Sequence, residues 1–180
     1  NTFIERIRSL QFQQSIGDRG PDSHKLKDGT PTMGGLLIIG SVILSGFLWG
    51  DLTNKYLLIS IFCLFMFGLI GFVDDYNKVK QKNQEGMSGK SKIFWQFICA
   101  CIISVVLYTT AENKMETSYI VPFFKDVVLD FGIWFIFISI FIIIGSSNAV
   151  NLTDGLDGLA ILPVIIITAA LGIIAWASGN

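Results

Sequence analysis

Charge is scarce in this 180-residue sequence: Asp, Glu, Lys and Arg make up 15% of it, where an average soluble domain carries about 25%. A basic excess is missing too. Thirteen Lys and Arg face fourteen Asp and Glu, a formal net charge of −1, which excludes a chain built to wrap nucleic acid. Cysteine is limited to Cys63, Cys99 and Cys101, an odd number lying inside apolar runs. They form no disulfide framework and no zinc spacing, and read as small apolar fillers. The polarity of a disordered tail is also lacking, since 52% of the residues are hydrophobic and the mean hydropathy is +0.61. What is left is a membrane protein, or a soluble one with an abnormally large core.

The apolar residues are contiguous, which decides between the two. Five stretches hold no Asp, Glu, Lys, Arg or His: Gly34–Gly50, Tyr56–Val73, Ile93–Ala111, Phe131–Ser147 and Gly158–Ser178, together 92 of 180 residues. A helix rising about 1.5 Å per residue needs roughly 20 residues to cross a 30 Å hydrocarbon core, and helix ends extend past the charge-free part. A buried helix of a soluble protein keeps a polar stripe, and these have none. The expected fold class is all-α: a polytopic integral membrane helix bundle, one membrane domain over 1–180 with five transmembrane helices.

The connections set the orientation. Segments 1–33, 74–92 and 148–157 together carry 10 of the 13 basic residues, and the alternate connections carry 3. Lys and Arg stay on the cytoplasmic side, so those three segments are expected there. Asn1–Leu10 is amphipathic and lacks the apolar core of a signal peptide. Residue 1 is not Met, and the last span stops at Ala177-Ser178-Gly179-Asn180. A fragment of a longer polytopic protein is the expectation.

Three polar clusters fall in the segments read as cytoplasmic. The first runs from Gly20 to Gly35, rich in Gly, Pro and Thr, with His24, Lys25 and Lys27. Its amides and lysines suit a pyrophosphate, although it fits neither a Walker loop nor a dinucleotide fingerprint, and His24 reads more simply as a loop residue. The second is Asp74-Asp75-Tyr76-Asn77-Lys78, at the end of the second stretch. If the helix continues, Asp74 and Lys78 can pair at i,i+4. Adjacent carboxylates at a membrane boundary suit divalent-cation work, and the plainer alternative is a solvated helix end. Lys80, Lys82, Lys90 and Lys92 follow, and anionic headgroups account for some of them. The third cluster places Asn148, Asn151, Asp154 and Asp157 at three-residue intervals, with Gly155 and Gly158 between and after. On a helix this is a drifting polar stripe that suits a nucleotide or a magnesium ion with phosphates. A capped loop needs one such residue, and here there are at least four.

These residues resemble the phospho-N-acetylmuramoyl-pentapeptide transferases, within the polyprenyl-phosphate N-acetylhexosamine-1-phosphate transferase superfamily. The likeness lies in Ser23-His24-x-x-Lys27-x-Gly29-Thr30-Pro31-Thr32-Met33-Gly34-Gly35, then Asp74-Asp75-x-x-Lys78, then Asn148 to Ala160, in the family's order. The resemblance implies transfer of phospho-MurNAc-pentapeptide from UDP-MurNAc-pentapeptide to undecaprenyl phosphate, giving lipid I and UMP. It implies Mg²⁺ as cofactor and a site on the cytoplasmic face of the bacterial inner membrane, and it is compatible with a homodimer. The family has ten transmembrane helices, of which these match the second to the sixth.

By the same resemblance, Asp74 is the candidate base or the group that readies the lipid phosphate, and Asp75 organises metal and phosphates. Lys27, Thr32, Lys78, Asn151 and Asp154 line the cleft, with Asp154 a second metal candidate. Lys90 faces the diphosphate, and Gly155, Leu156 and Asp157 contact uridine. The family's further magnesium-binding Asp and His-rich loop are not among these 180 residues, so the chain alone is expected to be inactive. Two alternatives are a relative using UDP-GlcNAc and a membrane transporter. A transporter puts ionisable groups near the midplane of its spans, whereas these acids sit at span ends.

Overall fold

The computed structural model describes residues 34–81, 86–120, 124, 128–154 and 159–177. Among them are five α-helices: α1 (Gly34–Trp49), α2 (Lys55–Gln81), α3 (Gly89–Thr109), α4 (Trp134–Thr153) and α5 (Ile161–Ala177). Each charge-free stretch carries one of them. The helices α2, α3 and α4 are long and apolar enough to cross a membrane, and α1 and α5 are apolar helices of 16 and 17 residues. Between α3 and α4 stand a 3₁₀ turn, Lys114–Thr117, and a two-stranded antiparallel ribbon, β1 (Ser118–Ile120) with β2 (Val128–Asp130). Tyr119 pairs with Leu129 at its centre.

The pairs α1–α2, α2–α3 and α3–α4 run antiparallel. At one end of the α1–α2 pair Gly46 meets Ile61, and towards the other Gly68 meets Ile39. A Cβ at either glycine would come within 2.9 Å of the facing isoleucine, so both let the helix axes approach. The turn between them is tied by Asp51, which accepts from the Thr53 hydroxyl at 2.6 Å and the Thr53 N–H at 2.9 Å. These bonds hold the Asp51 carboxyl below its usual range. Asn54 accepts from the Tyr56 N–H at 2.9 Å and so caps the first turn of α2.

The α3–α4 pair holds most of the small core. On α3 Gln96, Cys99, Ala100, Ile103 and Ser104 are buried at helical spacing, and on α4 Ser139 and Ile140. Small residues on the facing stripes permit close packing where lipid gives apolar side chains no reason to leave the surface. Much apolar surface therefore stays exposed, including every residue of α5. Trp49 closes α1 and Trp134 opens α4, both exposed, at the bundle end where the ribbon lies. There Tyr119 packs edge-on against Phe131. The opposite end carries the polar motifs.

Candidate active site

The helix α2 does not stop where its charge-free stretch stops. It runs eight residues further, to Gln81, and carries Asp74, Asp75 and Lys78 on its last turns. The expected i,i+4 pair forms: Lys78 Nζ lies 2.7 Å from Asp74 Oδ2 and 3.1 Å from Asp75 Oδ1. One lysine thus bridges both carboxylates, which relieves the repulsion between neighbouring acids.

The two acids differ in surroundings. Asp74 is 7% exposed, and the start of α3 closes on it. Lys92 Nζ stands 3.4 Å from its Oδ2, and the Met87 N–H donates to its Oδ1 at 2.9 Å. Buried carboxylates are stable when paired and hydrogen-bonded in this way. Gly86 makes the approach possible. Its φ of +56° suits glycine, and a Cβ there would come 2.7 Å from Asp74 Oδ1 and 2.8 Å from Lys78 Cε. The Asp75 side chain is 36% exposed and has Lys78 as its ion-pair partner.

The third cluster is split by its environment. Asn148 and Asn151 lie on the last turns of α4, which ends at Thr153 with Asp154 as its cap residue. Asn148 turns inward: its Nδ2 donates to Gln96 Oε1 of α3 at 2.8 Å and to the Ile144 carbonyl at 2.9 Å. Gln96 Nε2 in turn donates to Ser147 Oγ at 3.4 Å. Asn151 and Asp154 are exposed, as is Lys90 on the first turn of α3. Thr153 bonds back to the Ala149 carbonyl at 2.8 Å, so it does not cap the following helix.

The structure therefore brings Asp74, Asp75, Lys78 and Lys92 together at the same bundle end as Asn148, Asn151 and Asp154. Among the described residues no three His, Cys, Asp or Glu gather as a metal cage. Lys27, Thr32, Gly155, Leu156 and Asp157 lie outside the described residues. Sequence reasoning missed Gly86, the Met87 amide and Gln96, and gave Lys92 no role beyond lipid headgroups. For Gln96 a signal existed: a carboxamide inside a stretch selected for lacking charge.

A bundle of apolar helices, three of them long and apolar enough to cross a membrane, is the architecture of a multi-pass membrane protein. The chain belongs to glycosyl transferase family 4, whose model matches residues 57–180, and as a member it is a membrane phospho-sugar transferase. Signature 1 of the phospho-N-acetylmuramoyl-pentapeptide-transferases matches residues 27–39, in line with the motif resemblance.

Proposed function

We propose that the protein transfers phospho-MurNAc-pentapeptide from UDP-MurNAc-pentapeptide to undecaprenyl phosphate, at the cytoplasmic face of a bacterial inner membrane. The carrying observation is the cluster of Asp74, Asp75, Lys78 and Lys92, two acids and two cations gathered where α2 ends and α3 begins. In the reaction the sugar-bearing phosphoryl group exchanges its bond to UMP for a bond to the lipid phosphate, and UMP leaves. Phosphoryl transfer asks a protein chiefly for positioning and charge neutralisation.

Lys78 and Lys92 suit a lipid phosphate held at headgroup depth. Asp74 has both oxygens engaged, so it readies that phosphate by yielding one lysine to it, and the other lysine and the Met87 amide stay with the acid meanwhile. Asn151 and Asp154 bind the donor on its diphosphate side, with Lys90, and Gly155, Leu156 and Asp157 take the uridine. Lys27 and Thr32 complete the cleft. A hard cation needs only one or two carboxylates when phosphates finish its shell, and Asp75 offers one to solvent. Asp75 and Asp154 would hold Mg²⁺, which would supply neutralisation of phosphate charge.

The test is UMP release by the full-length protein in membranes, with UDP-MurNAc-pentapeptide and UDP-GlcNAc compared as donors. Turnover with the first supports the proposal; turnover with UDP-GlcNAc alone moves the protein to its relatives. Asp75→Asn should abolish release while the protein still inserts, and retained turnover overturns the site assignment. The 180-residue chain by itself should release no UMP.

A further inference from the structure

The first two turns of α3 grip both neighbouring helices. Lys92 reaches Asp74 of α2 at 3.4 Å. One turn on, Gln96 is 4% exposed and exchanges hydrogen bonds with α4, accepting from Asn148 Nδ2 at 2.8 Å and donating to Ser147 Oγ at 3.4 Å. Burying a carboxamide in an apolar helix is costly unless it is bonded, and an apolar residue of similar size would fill the seam without that cost. The amide gives something that an apolar side chain does not, a fixed register between two helices. That register matters beyond the contact, because Asn151 and Asp154 follow Asn148 by three and six residues on the same helix end.

We propose that Gln96 is a positioning residue: with Lys92, it fixes the α4 end that carries Asn151 and Asp154 against the α2 end that carries Asp74 and Asp75. This rests on the donor-binding role assigned above to Asn151 and Asp154. Gln96 touches no substrate and acts through Asn148.

The test uses the full-length protein with two variants. Gln96→Met keeps length and removes the amide. The exchange of Gln96→Asn with Asn148→Gln restores two facing amides. Gln96→Met should raise KM for UDP-MurNAc-pentapeptide roughly three- to twentyfold, the equivalent of one interhelical hydrogen bond. Its KM for undecaprenyl phosphate should stay near wild type, and the exchange should bring the donor KM back. A donor KM that does not change overturns the proposal. So does a fall in kcat at constant donor KM, the mark of a merely structural role, or a failure of the exchange to rescue. A wild-type protein that releases no UMP from either UDP-sugar overturns the functional reading, and the role of Gln96 with it. That result is distinguishable because the first set of failures occurs on an active wild-type background.

Discussion

Adjacent residues on a helix point about 100° apart, so Asp74 and Asp75 cannot share one environment. Asp74 faces α3 and is closed in by Lys92 and the Met87 amide, while Asp75 is half-buried against Lys78. The Asp74–Lys78 bond was legible, because i,i+4 spacing on a continuing helix fixes it. The Lys92 and Met87 contacts were not, since they depend on how the chain returns 13 and 18 residues later. Gly86 is the hinge of that return. Gly86→Ala should cost about 1–2 kcal/mol for the left-handed backbone alone, before the clash with Asp74. The expected outcome is a lower melting temperature in detergent and a near-complete loss of UMP release. A variant with wild-type values in both would show that the loop seats elsewhere.

At the scale of elements, both ends of α2 are held by lysine–carboxylate pairs, with an acid of α2 meeting Lys92 at one end and Lys55 of α2 meeting acids beyond α3 at the other. At the end away from the motifs, Lys55 Nζ meets Glu116 at 2.8 Å, Glu112 at 3.3 Å and the Thr110 carbonyl at 2.7 Å. The Tyr56 hydroxyl also donates to Glu116. The Lys55 ammonium, then the Tyr56 hydroxyl, hold the Glu116 carboxyl down to about 2 from an ordinary 4.5. A depressed carboxylate stabilises the folded state above its ordinary value, and that contribution fades as pH falls towards about 2. The 3₁₀ turn and ribbon should therefore stay docked at neutral and mildly acid pH. Amide exchange over residues 114–120, corrected for intrinsic rates, should rise only below pH 4.5, whereas Glu116→Gln should raise it at pH 7. Equal exchange in the two proteins at pH 7 would rule the clamp out. The α3–α4 seam offers a second check, because Ala100 is fully buried there. Ala100→Leu should destabilise by about 1–3 kcal/mol, read as a fall in melting temperature in detergent.

Across the whole molecule, charge-free length announced the helices, because crossing hydrocarbon leaves a chain no other way to satisfy its backbone. It said little about which helices touch, for hydropathy separates lipid from water and not one apolar neighbour from another. Pairing is decided instead by a few small or polar residues: Gly46 and Gly68 for α1–α2, Asp74 and Lys92 for α2–α3, Gln96 and Asn148 for α3–α4. The polar end of the bundle was legible in the second and third clusters, the first lying almost wholly outside the described residues, and the division into inward and outward members was not. Asn148 was read in one stripe with Asn151 and Asp154, yet its amide is committed to the seam. The placement of tryptophans has an optical consequence. Trp49 and Trp134 lie at the bundle end remote from the acids, and Trp95 sits on α3 between Lys92 and Gln96. Within these 180 residues, replacing Trp49, Trp134 and Trp176 by Phe leaves Trp95 as the one indole, a native fluorophore one residue from Gln96. Its emission would follow nucleotide or lipid-phosphate arrival directly, with no attached dye.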